Sequence, residues 1–143
     1  MKRLILFFFV TLFAAGGVRA DDADRIVVIV NPASGVERLS REEVIDIFLG
    51  RFRKLPSGRA ALPIDVETRD ERARFYRLLV KKSPAEISSY WARLVFSGQT
   101  SPPFQVADST TAVELVKSNP NAIAYVTRAS VTSGVKVVLE IKP

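Results

Sequence analysis

The sequence predicts an α/β fold, with a mixed, mostly parallel sheet flanked by helices. Three observations predict it. Ile26-Val27-Val28-Ile29-Val30 is an unbroken β-branched run, which suits a strand covered on both faces, as in a parallel sheet. Ser40 with Glu43, and Ser83 with Glu86, have the Ser-x-x-Glu spacing of a capping box, each ahead of apolar residues at helical spacing. Strand and helix patterns then follow in the order β-α-β-α-α-β-α-β-β, and alternation of this kind builds a layered α/β sandwich.

The elements follow from local chemistry. Asn31-Pro32 closes the first strand, and Pro32-Ala33-Ser34-Gly35 reads as a loop. Ser40 starts a helix whose buried face is Val44, Ile45, Ile47, Phe48 and Leu49, with Leu39 and Val44 in the hydrophobic-staple positions. Gly50 stands where a left-handed cap ends it. Residues 51–61 form a basic connector turning at Pro56-Ser57-Gly58. Leu62 to Glu67 alternates apolar and polar and reads as a strand. A helix over 70–81 follows, with Phe75, Leu78 and Leu79 on one face. Ser83-Pro84 starts the next helix, with Ile87, Trp91, Leu94 and Val95 as its core stripe and Gly98 as its end. Pro102-Pro103 enforces an extended path into a short strand at Phe104-Gln105-Val106. Asp108 or Ser109 caps a helix carrying Val113, Leu115 and Val116, which Asn119-Pro120-Asn121 stops. Residues 122–127 and 135–141 read as the last two strands.

Composition narrows the functions. Cysteine and histidine are absent, which removes disulfides, thiol and histidine nucleophile systems and the usual zinc ligands. Carboxylate-only and Ser-Lys chemistry stay open, but the composition disfavours catalysis, and the chain is expected not to be an enzyme, to hold no metal and to need no cofactor. Lys2 and Arg3, the apolar stretch Leu4 to Ala15, and the small residues Val18 and Ala20 have the layout of a secretory signal peptide. Cleavage is expected after Ala20, leaving residues 21–143 as one domain in the periplasm; an uncleaved anchor is the alternative. The apolar run is shorter than the roughly 20 residues a bilayer span needs. Loss of Lys2, Arg3 and Arg19 lowers the net charge from +6 to +3, and neither that charge nor an exported address suits nucleic acid.

Three segments, in order, resemble the periplasmic phosphate-binding proteins. Residues 39–50 are similar to the helix those proteins carry early in their second lobe. Trp91 through Gly98, with Pro102-Pro103 after it, is similar to short homologues. Asn119-Pro120-Asn121-Ala122-Ile123-Ala124-Tyr125-Val126 resembles their late strand, with Asn121 and Ala124 where the family has glycine. The resemblance implies a single lobe of a type II periplasmic-binding-protein fold, corresponding to the family's second lobe with the strand that leads into it. It also implies an anion site at a helix N-terminus, where the family has Ser-Gly-Thr and this sequence has Arg69-Asp70-Glu71.

Two readings of function follow. In the first, the chain is an exported substrate-binding domain associated with an ABC transporter. It takes phosphate or a similar small anion at the loops after its first two strands, through Ser34 and Gly35 and through Thr68, Arg69, Asp70 and Arg72. A second copy, as in a homodimer, or another protein supplies the opposite wall. In the second, the lobe has lost ligand binding and is an interaction or sensory module for a membrane protein, with the cations between Arg51 and Lys82 as a docking patch. Each candidate also has a plain structural reading. Residues 31–35 suit an ordinary turn, and Thr68, Asp70 and Glu71 suit helix capping. Trp91 and Tyr125 suit core packing, with Tyr90 half exposed. Asp65 and Glu67 share a strand face by period two but lack the further groups that catalysis needs.

Overall fold

In a computed structural model of the chain, residues 20–143 are described. The expected signal segment, Val18 included, lies outside these residues apart from Ala20. After a short helical turn, α1 (Ala20–Ala23), come β1 (Ile26–Val30), α2 (Arg41–Phe48), β2 (Leu62–Val66), α3 (Arg69–Val80), α4 (Pro84–Phe96), β3 (Phe104–Val106), α5 (Ser109–Ser118), β4 (Ala122–Thr127) and β5 (Lys136–Glu140). The predicted order holds throughout. Short 3-10 turns at Pro32–Ser34 and Arg128–Ser130 complete the chain.

The strands form one sheet in the order β3-β2-β4-β1-β5. β2 pairs parallel with both β3 and β4, whereas β1 pairs antiparallel with both β4 and β5. Four strands therefore run one way and β1 runs against them. All five β1 residues are buried, so the prediction of a strand covered on both faces holds. The parallel pairing suggested for it does not. An all-apolar run reports that two faces are covered, and an antiparallel strand at the centre of a layered fold meets the same condition as a parallel one.

The local signals that set the helices are visible as hydrogen bonds. Ser40 and Glu43 cap each other across the start of α2, and Ser83 and Glu86 do the same at α4. Asp108, not Ser109, caps α5, its Oδ1 accepting from the Thr111 N–H at 2.8 Å. Gly50 follows α2 with φ +70°, and a Cβ there would stand 2.8 Å from the Trp91 ring. Glycine is required at this position twice over, by its left-handed backbone and by the close approach of α4. The basic connector is more ordered than its composition suggests, since Lys54 and Ala60 bridge as an antiparallel pair.

One hydrophobic core joins the sheet to α2, α3, α4 and α5. Its centre is aromatic. Phe75 of α3 stacks on Tyr125 of β4 with ring centroids 3.7 Å apart, and Phe48 of α2 meets Phe75 edge-on at 5.0 Å.

Candidate functional site

The direction of β1 decides which candidate residues can meet. Val30, the last residue of β1, lies opposite Ile123, next to the start of β4, and Leu62, the first residue of β2, lies opposite Ala122. The loop after β1 therefore leaves the end of the sheet where β2 and β4 begin. The loop after β2 leaves the other end, beside Val106 of β3. Ser34 and Gly35 are thus separated from Thr68, Arg69, Asp70 and Arg72 by the length of the sheet, about 15 Å for a five-residue strand. One site formed jointly by the loops after the first two strands is not what the fold builds.

The first loop is also spent on itself. Asn31 is buried, and its side-chain amide donates to the carbonyls of Val116 and Lys117 at 2.9 Å each, closing the C-terminal end of α5. Its Oδ1 accepts from the Ala33 N–H, its carbonyl accepts from the Ser34 N–H, and the Ser34 hydroxyl accepts from the Val36 N–H. Ser34 is fully buried. The Ala33, Ser34 and Val36 amides are therefore already hydrogen-bonded within the loop, which suits the plain reading as a turn.

The second loop lies at the rim where β2, β3 and β4 end. Arg69 and Asp70 are exposed in the first turn of α3. Thr68 occupies the N-cap position without making a side-chain cap, against the capping expected of it. Its hydroxyl donates instead to the Ala107 carbonyl at 3.2 Å, which ties the β2–α3 loop to the loop after β3. α2, α4 and α5 each have a side-chain cap, whereas α3 has none. Its first amides therefore keep their hydrogen-bonding capacity and the positive end of the helix dipole. Glu71 accepts from the hydroxyl of Ser109 at the start of α5, so the starts of α3 and α5 converge on this rim.

Arg72 points back under the rim. Its Nε donates to Asp65 Oδ2 at 3.0 Å, and the two side chains are 16% and 3% exposed. The guanidinium carbon lies 5.5 Å from the centre of the Tyr76 ring. Asp65 also accepts from the Tyr125 hydroxyl, which in turn accepts from the Val66 N–H at 3.3 Å. A buried carboxylate is thus paired and hydrogen-bonded, the condition under which burial is tolerated. Burial chiefly lowers and Asp65 raises the affinity of Arg72 for its proton, and the net direction is up. Asp65 and Arg72 form one wall of an open cleft of about 390 Å³, which Trp91, Ser88 and Phe104 continue. Glu67 is exposed beyond the end of β2, so the two carboxylates of that strand are not a pair.

Sequence reasoning missed the Asp65–Arg72–Tyr125 cluster. The available signal was an aspartate between Ile64 and Val66 with an arginine in the next helix. Two of the cations between Arg51 and Lys82 are engaged within the chain. Arg72 is held by Asp65, and Arg74 donates to the Asp24 carbonyl at 2.6 Å. Trp91 is core and Tyr90 is partly exposed, as expected.

The cluster makes folding sensitive to alkali. Burial first, and the Asp65 carboxylate second, push the hydroxyls of Tyr76 and Tyr125 above their ordinary value. The unfolded chain sheds those protons near pH 10 and the folded chain retains them. Stability is therefore complete below pH 10 and falls as pH rises through it. Urea midpoints measured from pH 8 to pH 11 are expected to drop above about pH 10. Tyrosinate absorbance from these two residues is expected to appear with unfolding, not before it.

The fold is a partial, single-lobe form of the type II periplasmic-binding-protein fold, like that of PstS. An ABC-type phosphate transport receptor from Vibrio cholerae superposes with a TM-score of 0.63 at 20% identity, over 80% of this chain and 45% of that one. PstS from Borrelia burgdorferi gives 0.61 at 16%, over 80% and 46%. A Clostridium perfringens protein solved with bound phosphate gives 0.62 at 22%, over 80% and 44%. The chain spans less than half the length of these proteins. Its sequence matches no family profile and no curated protein.

Proposed function

We propose that this chain is an exported PstS-like substrate-binding lobe that takes phosphate or a similar small anion at the start of α3. Residues 1–20 are the signal peptide in this reading, residues 21–143 work as one domain in the periplasm, and the chain is not an enzyme. The observation that carries the proposal is the uncapped N-terminus of α3 at the rim of parallel strands. Unsatisfied amides and the helix dipole favour an anion there, and the end of an open α/β sheet is where ligands bind. Arg69 supplies the exposed positive charge, and Thr68 and Asp70 border the site. Arg72 supports it from below through Asp65. Glu71 is turned toward Ser109, whose hydroxyl donates to it. The opposite wall comes from a second copy or from a transporter-associated protein.

Thermal unfolding with and without millimolar phosphate, then sulfate, tests this. A ligand at 100 times its dissociation constant adds about 2.7 kcal/mol, or several degrees in midpoint. Phosphate is expected to raise the midpoint, and Arg69→Glu is expected to abolish the rise without lowering the ligand-free midpoint. Equal midpoints across the anions would overturn the proposal. They would favour the interaction-module reading, which has its own support in three exposed phenylalanines, Phe52, Phe96 and Phe104.

A further inference from the structure

The C-terminal end of α3 borders a groove unlike the rim at its start. Leu79 and Val80 line it, with Ile45 of α2, Leu49 just after it, and Ile87 and Tyr90 of α4, around a cavity of about 710 Å³. That size falls within the range of small-molecule sites. The groove lies ten residues along α3 from Arg69, about 15 Å at the helical rise. It is therefore separate from the anion site proposed above, and neither assignment depends on the other.

Charge identifies the occupant. Arg51, Lys82 and Arg93 line the groove, and its one acid is Glu86. That acid is already committed. Its Oε2 accepts from the Ser83 N–H at 2.8 Å in the capping box, and its other oxygen is 3.5 Å from Lys82. Hydrogen bonds to Ser83 hold its carboxyl below the ordinary value. Arg51 is 3.6 Å from Asp46, with both side chains about half exposed. Arg93 is in no ion pair among the described residues. The Tyr90 hydroxyl donates to the Leu49 carbonyl at 2.6 Å, which holds α4 against the end of α2 and fixes one wall. An apolar floor under an excess of cations complements a molecule with an apolar body and an anionic head.

We propose that the groove between α2 and α4 is a second binding site, for a free amphipathic organic anion such as a medium-chain carboxylate. The chain lies over Ile45, Leu49 and Ile87, and the carboxylate meets Arg93 and Lys82. An NMR titration of the purified protein with decanoate, below its micellar concentration, is the test, with decanol as the uncharged probe of equal length. Saturable shifts at the amides of Leu49, Ile87 and Tyr90 are expected with decanoate and much weaker ones with decanol. Reversal of two exposed charges, Lys82→Glu with Arg93→Glu, is expected to weaken decanoate binding about ten-fold or more. The unchanged amide spectrum of that variant away from the groove serves as the check on folding. Equal responses to the acid and the alcohol, shifts centred on Phe52 and Phe104, or indifference to the double reversal would overturn the assignment. Cosedimentation with phosphatidylglycerol vesicles separates the two sources of such an anion. Capture that decanoate does not compete away would place the surface on a membrane and overturn the free-ligand assignment.

Discussion

Asp65→Ala is expected to destabilise the folded chain by about 3 kcal/mol, the lower end of the cost of breaking a buried ion pair. The loss has two parts. Arg72 keeps its charge and loses the carboxylate that its Nε donates to, and the Tyr125 hydroxyl loses its nearer acceptor and keeps only the Val66 carbonyl at 3.4 Å. The lower end applies because Arg72 borders an open cleft and its guanidinium is able to turn toward water. A drop of about 10 °C in the thermal midpoint corresponds to that free energy in a domain of this size. Asp65→Ala combined with Arg72→Met is expected to recover much of the loss, because no charge is then left unpaired. A double variant less stable than Asp65→Ala alone would show that Arg72 contributes mainly through its packing on Tyr76.

Phe75→Ala removes the ring at the centre of the aromatic cluster. The ring is fully buried, stacked on Tyr125 at an interplanar angle of 9° and edge-on to Phe48 and Tyr76. A cost of about 3–5 kcal/mol is expected, from the lost transfer free energy and the cavity left behind. Domains of this kind have roughly 5–15 kcal/mol in total, so the variant is expected to be marginal near body temperature. Phe75→Leu is expected to cost less, since it refills part of the space. Urea unfolding followed by Trp91 fluorescence measures both. Phe75 and Asp65 each hold Tyr125 in place, one by stacking on its ring and one by accepting from its hydroxyl. The two losses are therefore expected not to add.

What could be read from the sequence was what local chemistry decides. The capping boxes at Ser40 and Ser83 placed two helices because a cap is completed within four residues. The turn around Asn119-Pro120-Asn121 placed β4 for the same reason. The resemblance carried by residues 39–50, 91–103 and 119–126 led to the fold that the solved structures share. The direction of β1 was not legible, because burial on both faces is compatible with either sense and its partners are the last two strands. That one ambiguity decides which candidate residues can meet. It made the loops after β1 and β2 look like neighbours when they sit at opposite ends of the sheet. Asp65 was hidden for a related reason. Alternation with Ile64 and Val66 suggests a polar residue facing water, and only the packing of both faces of β2 turns it inward, where Arg72 and Tyr125 become necessary.

The position of β1 also sets the order in which the chain becomes foldable. Ile26 pairs with Thr127, and Val27 with Glu140, so the strand made first finds both partners only when the last two have been made. At about 5–20 residues per second, roughly a hundred intervening residues take on the order of 5–20 s to synthesise. Throughout that interval five consecutive β-branched residues have no sheet to join. Long-range pairing of this kind also slows folding after the chain is complete. β1 is therefore left as an unpaired apolar strand until synthesis is nearly complete, a segment that a holding chaperone can recognise.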